Sequence, residues 1–248
     1  MNNKNLKLAA VALTLLGTIA AASATSFSTS TVGVLNPNNH TILESTGNSL
    51  TESAFASSLT TAFANNTGGV WNFDNPGGMG TVNVGNTITL SYGVSQSSSL
   101  VMTLGGQDIN TGFNTTSEAT SSSQQMGLSA DASTRTFTLN TSLLNIGVFV
   151  GNRGDSSRTT VLSVTYLDHT TASTSGANGG PTAGSNYFED LAGTALNPIV
   201  SFSLAQSNFV RYDDLAFIVA PVPEPGTISL AIAGGLSLSF MIARRRKA

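Results

Sequence analysis

Cysteine is absent from the 248 residues. That absence removes disulfides, thiol catalysis and thiolate-held metals together, so an exported domain of this composition must rest on its core. Charge is scarce as well, at 9% of residues. The two histidines, His40 and His169, stand far apart, with no His-x-x-x-His or Glu-x-x-His spacing of the kind that holds zinc. No Gly-x-Ser-x-Gly elbow accompanies the abundant serines, so the neighbours Asp168 and His169 have no supporting motif for nucleophilic chemistry. The sequence has a single tryptophan, Trp71, and no clear internal repeat.

What is present begins at the ends. Lys4 and Lys7 precede an apolar run from Leu8 to Ala22, which closes on the small residues Ala22-Ser23-Ala24. This order is that of a secretory signal peptide over residues 1–24, with cleavage expected after Ala24. The apolar core falls short of the about 20 residues that a spanning helix needs. At the other end, residues 221–248 carry Pro223-Glu224-Pro225, an uncharged apolar run from Ile228 to Ala243, and the cluster Arg244-Arg245-Arg246-Lys247. The prolines fix φ and favour an extended, accessible peptide. The apolar run, at 1.5 Å rise per residue, makes a helix of roughly 24 Å, which crosses a bilayer core when its flanks help. The basic cluster keeps the extreme C-terminus in the cytoplasm and leaves the rest of the chain on the far side.

This three-part tail closely resembles the PEP-CTERM sorting signal of Gram-negative bacteria. The resemblance covers the chain from Val222 onward, and Pro223, Glu224 and Pro225 match its defining motif. It implies that an exosortase recognises the tail and removes it at or near the motif. The partners implied are the Sec export machinery, signal peptidase, the exosortase and, transiently, the inner membrane. The expected destination is the cell surface or the extracellular space.

Removing both ends changes the charge balance. The ten basic residues include Lys4, Lys7, Arg244, Arg245, Arg246 and Lys247, which leaves Arg135, Arg153, Arg158 and Arg211. Of the thirteen acids only Glu224 lies in the tail, so the remainder holds twelve acids, four bases, a net charge of −8 and no lysine. Such a surface repels phosphate backbones and argues against nucleic-acid binding. The remaining length, about 200 residues, suits one domain with a sizeable core.

Within residues 25–220, Ser49 to Asn65 reads as a helix. Ser49 and Glu52 form a capping box, Phe55, Leu59 and Phe63 share a face, and an Asn/Gly-rich segment ends it. Downstream the period becomes two. Ile88-Leu90-Tyr92-Val94, Leu162-Val164-Tyr166, Val200-Phe202-Leu204 and Leu215-Phe217-Val219 alternate with small or hydroxyl residues and read as half-buried strands, hydroxyls on the wet face. Val70–Asp74, Leu100–Leu104, Thr136–Asn140 and Ile146–Val150 are further strands, and Thr111–Gln125 and Thr170–Ser185 read as loops. The expected fold is mainly β: a single antiparallel, jelly-roll-like β-sandwich with one short N-terminal helix, followed by the C-terminal transmembrane helix.

Candidate chemistry is sparse. Strict alternation through Arg211–Phe217 places Asp213 inward beside Leu215 and Phe217, where a carboxylate must find a partner. The segment resembles the closing strand of carbohydrate-binding jelly rolls, some of which hold a structural calcium. Asp213 with Asp74 as a second oxygen donor is therefore the calcium candidate, beside hydrogen-bonded turn capping. No cofactor is otherwise expected. Glu118, Asp131, Glu189 and Asp190 are available to glycoside hydrolysis, but no spacing selects a pair. Trp71, Tyr92, Tyr166 and Tyr187 are candidates for stacking on sugars, although tyrosines and a lone tryptophan also suit a core. Arg153-Gly154-Asp155 reads as a turn. The functional expectation is a non-enzymatic, surface- or matrix-associated structural protein, with a carbohydrate-binding module as the alternative and a secreted hydrolase behind it.

Overall fold

The computed structural model describes residues 24–28, 42–44, 47, 49–71, 80–114, 124–127, 133–151, 158–178, 186–207 and 211–221. The signal sequence before Ala24, the tail from Val222 onward with its motif, apolar run and basic cluster, His40, Asp74, Glu118, Asp131 and Arg153-Gly154-Asp155 lie outside these residues. Among the described residues no helix is long and apolar enough to cross a membrane.

In chain order the elements are β1 (Ala24–Ser28), β2 (Ile42–Glu44), α1 (Glu52–Ala64), β3 (Gly68–Trp71), β4 (Gly80–Val82), β5 (Thr87–Tyr92), β6 (Ser98–Gly105) and β7 (Ile109–Asn114). Then follow β8 (Gln124–Gly127), β9 (Ser133–Gly151), β10 (Arg158–Tyr166), β11 (Thr171–Asn178), β12 (Asn186–Ala192), β13 (Ile199–Gln206) and β14 (Arg211–Val219). The 19-residue β9 is the hinge of the architecture. Its first half pairs with β6 and β13, and its second half, from Leu143 onward, pairs with β12 and β14. Such a strand turns a corner from one sheet into the next. The first layer runs β1-β5-β6-β9-β13-β10-β11; the second runs β2-β12-β9-β14, with β3 and β8 both along the far side of β14 and β7 and β4 beyond β8. Thr136–Asn140 and Ile146–Val150, expected as two strands, are thus the two arms of one.

Between the layers lies the main core. Leu162, Val164, Phe202, Leu204, Phe137, Ile88, Leu90 and Leu100 point into it from the first layer, and Trp71, Ile146, Val148, Tyr212, Leu215 and Phe217 from the second. Phe137 and Phe202 are cross-strand partners whose rings stack at 4.6 Å, and Tyr92 meets Phe217 edge-on at 5.5 Å. Pairs of this kind add about 0.5–1.5 kcal/mol beyond the area they bury. Among the described residues pairing is antiparallel except at two edges, where β1 joins β5 and β2 joins β12 in parallel, a departure from the wholly antiparallel expectation.

The helix begins two residues later than its capping-box signal implied. Thr51 is the N-cap, and its Oγ1 accepts from the Ala54 N–H at 3.3 Å. Phe55, Leu59 and Ala62 are its buried residues, and Phe55 and Leu59 pack with Val70, Phe149, Phe188 and Ala216 on the outside of the second layer. Phe63 is only half-buried. Gly147 lets this small second core close: a Cβ there would come within 2.6 Å of Phe188 Cζ and 3.1 Å of Phe55 Cε2.

Two expected loops contain strands. β7 and β8 encroach on Thr111–Gln125, and β11 occupies the first half of Thr170–Ser185. β11 carries only Ala172, Thr174 and Gly176 on its inward face, so it has no large apolar residue to announce its period.

Strict alternation also fails at β14. Asp213 pairs with Phe149 and Ala216 with Gly147, so Asp214 and Leu215 together face Val148. Asp214 sits at φ 49°, and the extra residue makes a β-bulge. The bulge allows Tyr212 as well as Leu215 and Phe217 to reach the core, an odd spacing that no regular strand permits. Asp214 is buried, at 2% exposure; the side chain of Asp213, the residue expected to point inward, lies outside the described residues.

Candidate functional site

The outer face of the first layer is chemically uniform. Inward positions of its strands are taken by the core, so period-two geometry sends the intervening residues outward. Register then lines these residues up across strands. Thr87 faces Thr103, Thr103 faces Thr138, Thr138 faces Ser201, Ser201 faces Thr165 and Thr165 faces Thr171. Six consecutive strands thus present one unbroken rung of hydroxyl residues, at the about 4.8 Å strand spacing of a sheet. Two residues along, Thr136, Ser203, Ser163 and Ser173 form a second rung. Where the rungs cross β9, β13, β10 and β11 the surface is concave, a trough of about 420 Å³ lined by hydroxyls, with Val164, Ala172 and Phe202 contributing apolar surface. Among the described residues no charged side chain lines it.

Hydroxyls at this density donate and accept equally and carry no field. They offer no acid or base to a reaction and no hard anionic donor set to a cation. They match the hydrogen-bonding pattern of a neutral polyol. Aromatic stacking is a different matter: Trp71 and Tyr92 are buried in the core, and half-buried Tyr166 donates its hydroxyl to the Ala192 carbonyl at 3.0 Å. The Tyr187 side chain lies outside the described residues. Of the aromatic candidates for stacking on sugars, Trp71 and Tyr92 thus belong to the core instead.

The carboxylates go elsewhere. Glu189 and Asp190 are both fully buried on β12, and neighbours on a strand face opposite ways. Asp190 accepts from the Leu50 N–H at 3.2 Å and ties the lead-in of the helix to β12. Glu189 Oε1 accepts from Thr160 Oγ1 and from the Gly176 N–H at 2.8 Å, while its Oε2 is buried with no partner among the described residues. Burial pushes this carboxyl up to about 7, against the smaller opposing pull of its hydrogen bonds from Thr160, Gly176 and Leu162. Two acids on opposite faces of one covered strand cannot flank a glycosidic bond. His169, at φ 67°, lies in the turn between β10 and β11. Its neighbour Asp168 is held below the usual carboxylate range by hydrogen bonds from Thr170, whose Oγ1 lies 2.6 Å away, so that acid is spent on the turn.

Among the described residues no group of three or more His, Cys, Asp or Glu gathers as a metal site. The proposed calcium partner Asp74 lies outside them, and so does every residue of the sorting motif.

No protein-family model matches the chain, and no curated protein does. Among solved structures, it is similar to a family 11 carbohydrate-binding module from Clostridium thermocellum in complex with a β-1,3-1,4-mixed-linked tetrasaccharide. Identity is 9% and the TM-score 0.31, over 62% of this chain and 96% of that one. It is also similar to TmCBM61 in complex with β-1,4-galactotriose, at 11% identity and TM-score 0.27, over 48% and 84%. The enzymatically active domain of bacteriophage CBA120 tailspike protein 4 matches at 10% identity and TM-score 0.28, over 60% of this chain and 20% of that one. At these TM-scores the likenesses carry no argument about what this chain does.

Proposed function

We propose that this chain is an exported, non-catalytic β-sandwich, sorted by its C-terminal tail and processed by an exosortase, whose mature domain associates with neutral extracellular polysaccharide through the hydroxyl face of the first layer. The observation that carries the reading is the register: a rung running from Thr87 to Thr171 across six strands, with a second beside it. The trough favours a single chain over a planar surface, because a twisted, concave sheet cannot lie flat on a lattice.

Magnitudes decide what kind of association this is. Each sugar–protein hydrogen bond replaces bonds to water and nets only about 0.5–1.5 kcal/mol. Without stacked aromatics, a few such bonds in the trough give weak contact with any one sugar segment. Repetition along a polymer, with many protein copies, converts weak contacts into retention. That is the behaviour of a matrix component.

Affinity electrophoresis through gels containing a neutral β-glucan, a neutral galactan or an anionic polysaccharide tests this. Retardation is expected in at least one neutral gel and not in the anionic one. Thr136→Asp with Ser173→Asp, which brings two charges to opposite sides of the trough at exposed positions three strands apart, should abolish it while leaving the thermal midpoint nearly unchanged. Full mobility of the wild-type protein in every neutral gel refutes the assignment.

A further inference from the structure

A second cleft lies away from the hydroxyl face. It encloses about 470 Å³ and is lined by Thr81, Val84, Gly106, Gln107, Asp108, Asn110 and Arg135. Its peculiarity is Arg135. In β9 the outward residues are Thr134, Thr136 and Thr138, so Arg135 takes an inward position that the pattern reserves for the core, beside Phe137. It is 1% exposed. A buried charge needs a counter-charge and filled hydrogen bonds, and among the described residues its hydrogen bonds reach no carboxylate. Nε donates to the Asp108 carbonyl at 3.3 Å and Nη1 to Ser133 Oγ. Both acceptors are neutral, and a guanidinium carries five N–H donors. The Asp108 carboxylate instead accepts from the Val84 N–H at 2.7 Å. Burial pulls the guanidinium below its usual range, and the electrostatic influence of Tyr212 and Asp108 only opposes that pull.

The walls are as telling as the floor. Gln107, Asp108 and Asn110 present planar amide and carboxylate groups, and Thr81 Oγ1 is already fixed on Asn110 Oδ1 at 2.7 Å. The loop that shapes the cleft is tight: Gly106, at φ 85°, packs so closely that a Cβ would meet the Thr134 carbonyl oxygen at 2.3 Å. Planar polar side chains around a guanidinium suit a ligand that carries both a carboxylate and hydroxyls, since arginine binds carboxylates through paired N–H bonds. A bare anion suits the cleft less well, because the Asp108 carboxylate stands at its wall. A polyanion suits it least, because the domain is acidic and free of lysine and repels like charge.

We propose that this cleft is a binding site for a single acidic sugar residue, a uronate at the end of an otherwise neutral glycan. Its carboxylate sits on Arg135 and its hydroxyls on Asp108, Asn110 and Gln107. The site is independent of the hydroxyl trough.

The test is isothermal titration of the full chain in detergent with a galactose trisaccharide whose terminal residue alone is oxidised to galacturonic acid, with acetate and the wholly neutral galactose trisaccharide of the same linkage as controls. The acidic trisaccharide should bind on the order of tenfold more tightly than either control, as a charge-assisted carboxylate contact predicts. Arg135→Gln should remove that preference. Because Arg135 is buried and its replacement perturbs folding, exposed Asp108 supplies the second variant. Asp108→Asn should tighten uronate binding by relieving repulsion, and should leave gel retardation by neutral polysaccharide unchanged. Equal binding of acidic and neutral trisaccharides, or weaker uronate binding in Asp108→Asn, overturns the proposal; loss of neutral gel retardation alone counts against the trough and not against this cleft.

Discussion

Glu189 makes stability depend on pH in a direction opposite to that of most carboxylates. In the folded protein its carboxyl titrates at about 7, against 4.5 as an unperturbed group, because it is fully buried and its Oε2 has no partner among the described residues. Between those values the native state holds a proton that the unfolded chain has released. The contribution to stability is full below about pH 4.5 and is lost as pH rises through about 7. At 1.36 kcal/mol per pH unit, the loss from this group between pH 5 and 8 is about 2–3 kcal/mol. For a domain of this size, that lowers the melting temperature by roughly 4–12 °C. Other acids titrate as well, so the informative quantity is the difference between wild type and Glu189→Gln, whose amide oxygen can still accept from Thr160 and Gly176. Urea melts at pH 5, 6, 7 and 8 should find the two similar at pH 5 and the variant more stable by about 2 kcal/mol at pH 8. A difference that stays constant with pH, or a wild type that gains on the variant as pH rises, refutes the reasoning.

Asp214→Ala, which removes a 2%-exposed carboxylate from the bulge of β14, should cost about 1–3 kcal/mol in the same denaturation assay; a change below about 0.5 kcal/mol, ordinary for a surface site, contradicts the burial argument. Gly147→Ala pushes a methyl into Phe188 and Phe55 and should cost about 1–3 kcal/mol through overpacking. The same substitution at Gly85, where a Cβ meets nothing within 4 Å but φ is +85°, serves as the control for backbone strain without crowding.

The parts of the fold legible in sequence were those with a large apolar residue at every second position. β5, β6, β10 and β13 follow directly from Ile88-Leu90, Leu100-Met102-Leu104, Leu162-Val164 and Phe202-Leu204. β11 escaped because Ala172, Thr174 and Gly176 carry the inward face of an edge strand without hydrophobic weight. The bulge at Asp214 escaped because Tyr212 and Leu215 imply opposite phases, and only the paired strand decides where the phase resets. The hydroxyls of the outer face were visible as wet-side alternation, but their alignment into rungs depends on cross-strand register, which pattern alone does not specify. Arg135 and Glu189 gave no signal, since each looks like an ordinary surface charge until tertiary packing buries it.

To act as proposed, the chain must reach the outside of the cell without its terminal segments. Intact-mass spectrometry of the protein recovered from the medium or the outer surface measures this directly. The expected species begins near Thr25, which leaves all of β1 but its first residue in place, and ends near Pro223-Glu224-Pro225, without Arg244 to Lys247. A surface form that retains the basic cluster, or a chain confined to the cytoplasm with residues 1–24 intact, contradicts it.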